Sequence, residues 1–274
     1  MVHRVSRRAL LQASGLAASV CLAGCAAVPR ASETQETSET FDAPETLAVQ
    51  NGNGDVTVER GDSGDVEVDV TKTTRFGRDR FESVTLAASR DDDTLLLTVE
   101  REGSEETLPR VAVDLVVRVP DRPSLVAAST ANGDVAVFDV SGDPDVSSAN
   151  GDVFVRDVDG YPNLRSSNGD VELIGGRGLS TATTANGDID VDITSFSGDV
   201  EVATTNGDIE IALSPSLDAD IDARTGNGTV TVTGLELSNV RQSRTHLTGQ
   251  LGAGGPDVRA SSSNGDVDLD ALDE

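Results

Sequence analysis

The sequence predicts an all-β protein built from stacked strand repeats of about 18–20 residues, and two observations predict it. An Asn-Gly-Asp tripeptide recurs at intervals of 18, 18, 18 and 20 residues, and an apolar–polar–apolar triplet follows each copy. A fixed period of this kind is typical of stacked β architectures, in which one repeat cannot bury its own apolar face. The copies are Asn132-Gly133-Asp134, Asn150-Gly151-Asp152, Asn168-Gly169-Asp170, Asn186-Gly187-Asp188 and Asn206-Gly207-Asp208.

Each repeat has room for two short strands and two tight turns. Asn-Gly favours a turn, because both residues tolerate positive φ at little steric cost. Ser141-Gly142-Asp143 and Ser197-Gly198-Asp199 predict the opposite turn of some repeats. Stacking at about 4.8 Å per strand would align the asparagines in a column and the valines and isoleucines in a dry interior.

The sequence of residues 1–25 is typical of a targeting segment, which we expect not to be part of the fold. Arg7 and Arg8 lie in a stretch that resembles the twin-arginine export motif. The apolar run that follows, residues 9–22, is too short to span a bilayer comfortably. Leu22-Ala23-Gly24-Cys25 resembles a lipoprotein processing site, with Cys25 as the lipid-modified first residue. Whether the segment is cleaved or stays as an apolar anchor, we expect the remaining chain outside the cytoplasm, on the outer face of the cell membrane.

Cysteine usage agrees with this interpretation. Cys21 lies inside the apolar run, and Cys25 is the predicted lipid site. The mature chain therefore offers no thiol for a disulfide, a metal site or a nucleophile.

The charge of the chain predicts a salty environment. The chain has 21 basic and 48 acidic residues, and without the three arginines before Cys25 the balance is 18 against 48, a net charge of −30. Acidic residues spread along the length, with a single lysine, resemble proteins of salt-loving organisms, because molar salt screens such self-repulsion. A polyanion made for a cationic partner or metal ions would cluster its acids more strongly. Nucleic-acid binding is excluded by the sign of the charge.

The chain divides into three parts after the targeting segment. Residues 26–45 are rich in Ser, Thr and Glu, which predicts a disordered tether. Residues 46–125 predict irregular lead-in strands that form either the first repeats or a separate sheet. Val111–Val119 is nearly continuous in apolar residues, which predicts a strand buried on both faces. Residues 126–270 carry the repeats, with further copies at Asn227-Gly228-Thr229 and Asn264-Gly265-Asp266.

The repeated Thr/Ser-x-Asn-Gly-Asp-Val/Ile-x-Val/Ile unit resembles the putative-adhesin family of β-strand-repeat envelope proteins. The lead-in that ends at Val119-Pro120 and the glycine-rich stretch before Ser263-Asn264-Gly265-Asp266 share the likeness, which covers residues 46–270. The resemblance implies a right-handed, single-stranded β-solenoid or β-roll in the cell envelope. It implies no established activity, and no catalytic residue can be carried over.

The repeated aspartates raise a calcium hypothesis. Asp134, Asp152, Asp170, Asp188 and Asp208 would line up on one edge, and stacked carboxylates attract a cation. The calcium-binding nonapeptide roll uses a longer Gly-Gly-x-Gly-x-Asp turn, which this chain lacks. The alternative is that each aspartate caps its turn by accepting hydrogen bonds from backbone amides. We therefore expect no resident cofactor, with calcium as the rival.

The sequence offers few residues of the types that catalytic sites use. His246 is the one histidine of the mature chain, and Ser243-Arg244-Thr245-His246 has no nucleophile-elbow context. Paired carboxylates could serve a polysaccharide-acting β-helix enzyme, but zero Trp and one Tyr (Tyr161) leave little to build a sugar cleft. Asn227 begins the one Asn-x-Ser/Thr sequon and is a candidate glycosylation site.

These observations predict a non-enzymatic surface lipoprotein. The partners we expect are the membrane, through the lipid anchor, and envelope proteins or polysaccharide. Self-association by strand addition at an open solenoid end is also expected, unless that end is capped.

Overall fold

The computed structural model describes residues 32–102, 110–121 and 123–272. Within these ranges the chain forms β-strands and a short 3₁₀ helix at Arg78–Ser83. None of the helical segments described is long and apolar enough to cross a membrane. The strands are β1 (Glu33–Phe41), β2 (Thr46–Gln50), β3 (Val56–Arg60), β4 (Val66–Thr74), β5 (Val84–Asp91), β6 (Thr94–Arg101), β7 (Val111–Val119), β8 (Ser124–Thr130), β9 (Val135–Phe138), β10 (Asp145–Ser148), β11 (Val153–Arg156), β12 (Asn163–Ser166), β13 (Val171–Ile174), β14 (Thr181–Asn186), β15 (Ile189–Ile193), β16 (Val200–Asn206), β17 (Ile209–Leu213), β18 (Ala219–Asn227), β19 (Val230–Thr233), β20 (Leu237–Gln242), β21 (His246–Leu251), β22 (Asp257–Asn264) and β23 (Val267–Ala271).

The strands form two long sheets, and each rung of the stack gives one strand to each sheet. Sheet A runs β1-β4-β7-β3-β9-β11-β13-β15-β17-β23-β19, and sheet B runs β20-β21-β18-β22-β16-β14-β12-β10-β8-β2-β6-β5. Successive repeats pair in parallel and in register, so that Val153 lies beside Val135 and Val171. The fold is therefore the all-β solenoid that the repeat period predicts.

The core lies between the two sheets. Side chains of a strand alternate between its two faces, so the two apolar positions of each repeat point inward. On β13, Val171 and Leu173 are buried while Glu172 faces outward. The same alternation runs along β7, where Val113 and Leu115 are buried but Val116 is only half-buried. The prediction that β7 is buried on both faces is wrong, because its outward-facing residues are only half-buried and no second layer of described strands packs on that face.

The lead-in strands belong to the same solenoid. In sheet B, β2 lies between β6 and β8, and in sheet A, β3 lies between β7 and β9, all in parallel. Beyond them β4 and β5 pair antiparallel with β7 and β6. The 3₁₀ helix joins β4 to β5 and buries Phe81. Lys72 Nζ donates to the carbonyls of Phe81 (3.3 Å) and Val84 (2.5 Å). The described residues 46–102, 110–121 and 123–125 therefore form the first rungs and an antiparallel end.

The prediction of a disordered tether over residues 26–45 is wrong for residues 33–41. These residues form β1, which pairs antiparallel with β4 from Glu33–Thr74 to Phe41–Val66. Most of its side chains are exposed, and Phe41 packs against the core. Backbone hydrogen bonds to β4 hold this strand, so it forms without an apolar pattern.

At the carboxyl-terminal end the rungs do not follow chain order. The last strands, β22 and β23, lie between β16 and β18 in sheet B and between β17 and β19 in sheet A. An antiparallel pair, β20 and β21, closes the edge of sheet B beyond β18. Single-stranded winding in sequence order therefore holds only from β8 to β17. The gap of 37 residues between the last two repeat copies contains the inserted antiparallel pair.

Candidate functional site

The repeated asparagines form a continuous column, which we call the Asn ladder. After the first member, each Nδ2 donates to Oδ1 of the asparagine one rung before it, at 2.9–3.1 Å, while the first, Asn132, donates to the carbonyl of Gly52 at 3.1 Å. Most also reach a backbone carbonyl of that rung, as Asn168 Nδ2 reaches Ala149 O at 3.2 Å. The ladder runs, in spatial order, through Asn132, Asn150, Asn168, Asn186, Asn206, Asn264 and Asn227.

The repeated aspartates form a second column beside it. The Oδ1 atom of each aspartate accepts the backbone N–H of the corresponding residue in the next rung at 2.7–2.9 Å. Asp134 Oδ1, for example, receives the N–H of Asp152, and Asp152 Oδ1 that of Asp170. A carboxylate that accepts an amide N–H makes a charge-assisted hydrogen bond. The carboxylates therefore bind the main chain of the neighbouring rung.

The glycines of the repeat allow the rungs to approach closely. A Cβ placed on Gly151 would lie 2.0 Å from the carbonyl oxygen of Gly133, and the other ladder glycines show the same proximity. The residue two positions before each ladder asparagine is a buried Ser or Thr that donates to a glycine carbonyl of an adjacent rung. Ser148 Oγ reaches Gly133 O at 2.8 Å, and Ser166 Oγ reaches Gly151 O at 2.9 Å. Sequence reasoning missed this role, although Ser or Thr stands at that position in every copy from Asn132 onward.

The calcium hypothesis finds no ligand set in this geometry. No group of three or more His, Cys, Asp or Glu side chains within residues 32–102, 110–121 and 123–272 is arranged to hold a metal ion. One oxygen of each ladder aspartate is engaged by an amide. Each ladder aspartate accepts a backbone amide, as in the turn-capping alternative, but the amide belongs to the neighbouring rung and not to its own turn.

Replacing Asn168 with aspartate tests the ladder hydrogen bonds. The Asn168→Asp carboxylate keeps the size of the side chain but has no N–H to donate to Asn150 Oδ1 and Ala149 O. Leaving these acceptors facing a negative oxygen is expected to lower the free energy of unfolding by about 2 kcal/mol. Denaturant unfolding measures this.

The comparison with wild type at lower pH provides the control. Oxygen neighbours raise the pKa of a carboxyl, so the introduced group takes up a proton more readily when folded, and protonation restores one donor. The difference from wild type should therefore shrink as pH falls. A difference that grows at low pH would contradict the hydrogen-bond account.

The outer face of sheet A carries a row of carboxylates in the later rungs, which we call the acidic face. Glu172, Asp190, Glu210 and Asp268 are register neighbours on successive strands. Asp192 and Asp270 stand in the adjacent row. Burial raises the pKa of Glu210, and the neighbouring carboxylates raise it further. Sequence reasoning missed this row, although it occupies the polar position of the apolar–polar–apolar triplet.

We expect Glu210→Gln to stabilise the protein at neutral pH. The folded-state pKa of Glu210 is raised, so stability falls as pH rises through the window between its ordinary and raised values. Removing the charge should recover about 0.5 kcal/mol or less, because the group is exposed and solvent screens it. Denaturant unfolding at neutral and acidic pH, in low and high NaCl, checks this.

The gain should vanish at acidic pH and shrink in high salt. Glu201→Gln is the matched control, since its register neighbours are Thr181 and Arg259 rather than carboxylates. An equal gain for Glu201→Gln would contradict a local electrostatic cause.

Aromatic side chains lie beside arginines outside the core. The rings of Phe138 and Phe154 pack 5.5 Å apart on sheet A, and the guanidinium of Arg156 lies 4.9 Å from the Phe138 centroid. The Arg177 guanidinium lies 6.0 Å from the Tyr161 ring.

His246 does not assemble a catalytic triad. Its Nε2 lies 3.0 Å from Asp222 Oδ1 on the exposed side of β21, and Asp222 also pairs with Arg224. The hydroxyl of Ser243 donates to the backbone carbonyl of His246 and not to its ring. The contact a nucleophile needs with its base is therefore not made by this pair.

The remaining predicted sites fall at or beyond the ends of the ladder. Asn227 is the terminal ladder residue, and its Nδ2, the atom that would carry a glycan, donates to Asn264 Oδ1 at 2.9 Å. Arg7, Arg8 and Cys25 lie outside the described residues.

The chain is similar, at low sequence identity, to several solved structures. None of the curated proteins matches the chain significantly. A putative cell adhesion protein from Clostridium sporogenes is 12% identical, with a TM-score of 0.40 over 88% of this chain and 100% of that one. A putative adhesin from Bacteroides fragilis is 14% identical, with a TM-score of 0.40 over 87% and 97%. A putative lipid binding protein from Parabacteroides distasonis is 12% identical, with a TM-score of 0.33 over 88% and 97%.

The sequence itself matches a family model over nearly the whole solenoid. The match covers residues 44–270, from two residues before β2 to one residue before the end of β23. The chain belongs to the Toastrack DUF4097 family.

Proposed function

We propose that this protein is a non-enzymatic structural or adhesive solenoid of the cell envelope, held by lipid on the outer face of the membrane. The observation that carries the proposal is how the repeat uses its polar side chains. The ladder asparagines, aspartates and buried hydroxyls all bind neighbouring rungs. A repeat whose polar groups hold its own stack is suited to rigidity and display rather than to turnover of a substrate.

The export and anchoring part of the proposal rests on the amino-terminal sequence. Arg7 and Arg8 would direct twin-arginine export, and Cys25 would carry the lipid. Since β1 begins at Glu33, seven residues would separate the lipid-bearing cysteine from the first strand. Seven residues reach at most about 25 Å, so the solenoid would be held near the membrane surface.

The outer faces suggest the kind of contact that the solenoid makes. The acidic face and the Phe138–Phe154 pair lie on the same sheet, a surface suited to extended envelope polymers such as polysaccharide or to envelope proteins. A salt-loving organism would supply counter-ions that screen the acidic residues. Within the described part of the chain, the outermost strands of sheet A (β1 and β19) and of sheet B (β5 and β20) pair with a strand on one side only, which would permit self-association.

The proposal is tested with epitope-tagged protein in its native host. Wild type should fractionate with membranes and be cut by protease added to intact cells. Cys25→Ser should release the protein from the membrane, and replacing Arg7 and Arg8 with lysine should retain it inside the cell. Cys21→Ser is the matched control and should behave as wild type.

Two results would overturn the proposal. One is wild type that is protected from external protease, and the other is Cys25→Ser that stays on the membrane as firmly as wild type. No described contact favours the calcium module or the polysaccharide-acting enzyme over the structural role.

A further inference from the structure

The chain contains nine Asn-Gly steps, and this dipeptide carries its own chemistry. The glycine backbone nitrogen can attack Cγ of the asparagine side chain, forming a five-membered succinimide and releasing ammonia. Water then opens the ring to give aspartate or isoaspartate. One water is consumed and one ammonia is released, with no oxidant or cofactor. The reaction needs a glycine nitrogen that can lose its proton and a carboxamide that can turn toward it.

Within the ladder both reacting groups are held by the next rung. The N–H of Gly151 donates to Asn168 O at 3.0 Å, and Oδ1 of Asn150 accepts Nδ2 of Asn168 at 3.1 Å. The same pair of contacts is made at Asn132, Asn168, Asn186, Asn206 and Asn264. Neither group can reach the geometry of attack without breaking these bonds.

Asn227 occupies the end of the ladder, where no further rung follows. Its Nδ2 still donates to Asn264 Oδ1 at 2.9 Å. Among the described residues, however, no donor reaches its Oδ1 and no acceptor receives the N–H of Gly228. Of the two backbone polar groups of Gly228, the carbonyl accepts a hydrogen bond, from Arg244 Nη1. The side chain is exposed, so water can reach the ring that would form.

Two further Asn-Gly steps, near the other end, are held in different ways. The N–H of Gly54 donates to Asn132 O at 2.7 Å, which restrains the glycine after Asn53. Asn51 has its Nδ2 bound by the carbonyls of Gly54 and Val113, at 3.0 and 2.7 Å, and its Oδ1 accepts the N–H of Gly52. Its carboxamide is therefore fixed on both sides.

We propose that Asn227–Gly228 is the site at which this protein deamidates spontaneously to aspartate and isoaspartate. The product carboxylate has no N–H for Asn264 Oδ1, so the last ladder bond is lost and a negative charge is added at the last position of the ladder. Asn227 also begins the sequon, so a glycan on its Nδ2 would occupy the nitrogen that must leave. The same residue would then be either glycosylated or subject to deamidation.

The test is a time course on the purified folded protein in mildly alkaline buffer, followed by protease digestion and mass spectrometry of all nine Asn-Gly steps. Asn227 should deamidate at least about tenfold faster than the ladder asparagines, the ratio that one ordinary hydrogen bond supplies. The chain kept unfolded in denaturant is the control, and there the nine steps should react at similar rates. Faster reaction at Asn51 or at an internal asparagine, or no selectivity in the folded protein, would overturn the proposal.

A variant tests the protecting effect of the next rung directly. Asn264→Ala removes the Nδ2 that binds Asn206 Oδ1 at 3.0 Å. Deamidation at Asn206 should then rise above that at Asn168, whose ladder contacts are unchanged. Equal rates at Asn206 and Asn168 in this variant would show that the ladder does not control the reaction.

Discussion

Replacing Gly151 with alanine is expected to lower the free energy of unfolding by about 3 kcal/mol or more. The new Cβ would lie 2.0 Å from the carbonyl oxygen of Gly133 and 2.4 Å from its carbonyl carbon. Both are backbone atoms, held in place by the pairing of β9 with β11, so they cannot rotate away as a flexible side chain could. The strain can be relieved only by separating two rungs, which breaks the Asn and Asp contacts on either side.

Gly198→Ala is the matched control for Gly151→Ala. No heavy atom lies within 4 Å of a Cβ built on Gly198, which occupies a turn between β15 and β16. Its stability should change by about 0.5 kcal/mol or less. Denaturant unfolding of both variants gives the comparison. Equal losses would mean that alanine disturbs turns in general and that close rung contact is not the cause.

Leu173→Ala is expected to lower the free energy of unfolding by about 2–5 kcal/mol. Leu173 is 1% exposed and lies in the middle of the stack, between Val155 and Val191 in register. Truncation removes apolar contacts and leaves a cavity that in-register strands cannot close without shifting. In a stacked repeat, weakening one rung also weakens its interfaces with both neighbours.

Ile174→Ala provides the control from the next position of the same strand. Ile174 faces outward and is 40% exposed, so its removal should cost well under about 1 kcal/mol. Thermal or denaturant unfolding of the pair would separate the two faces of β13. A larger loss for Ile174→Ala would mean that the inward and outward faces are assigned the wrong way round.

Much of the fold could be predicted because the sequence contains two periodicities: the two-residue alternation along each strand and the interval of about 18 residues between rungs. Alternation places Val171 and Leu173 inward, and the interval of 18 residues places each asparagine beside the one before it. Strand β1 gave no such signal, because backbone bonds to β4 hold it and its side chains are mostly polar. Val116 was misjudged because an apolar residue in a strand can stand on an outer face. The insertion of β22 and β23 between earlier strands could not be predicted. Their sequences resemble those of the other rungs, so nothing in them indicates which rungs they lie between.

The site was predicted in position but not in its contacts. The spacing implies a column of asparagines, whereas the partner of each aspartate, an amide one rung away, depends on the turn geometry. The buried hydroxyls of Ser148 and Ser166 have a visible period, but their acceptor is a glycine carbonyl that no pattern of side chains reveals. The acidic face required knowing which strands are neighbours near Glu210, and there Asp268 comes from the inserted rung.

The central claim is that the Asn and Asp side chains of the Asn-Gly-Asp edge stabilise the solenoid by hydrogen bonds between neighbouring rungs and do not need a bound cation. Thermal unfolding in calcium, compared with NaCl of matched ionic strength, tests it most directly. Because salt screens the repulsion between acidic residues, we expect NaCl to raise the melting temperature. Because the ladder aspartates already bind backbone amides, we expect calcium to add nothing further. A large, saturable rise in calcium alone, lost when Asp152 and Asp170 are replaced by asparagine, would contradict the claim and make this edge a calcium site.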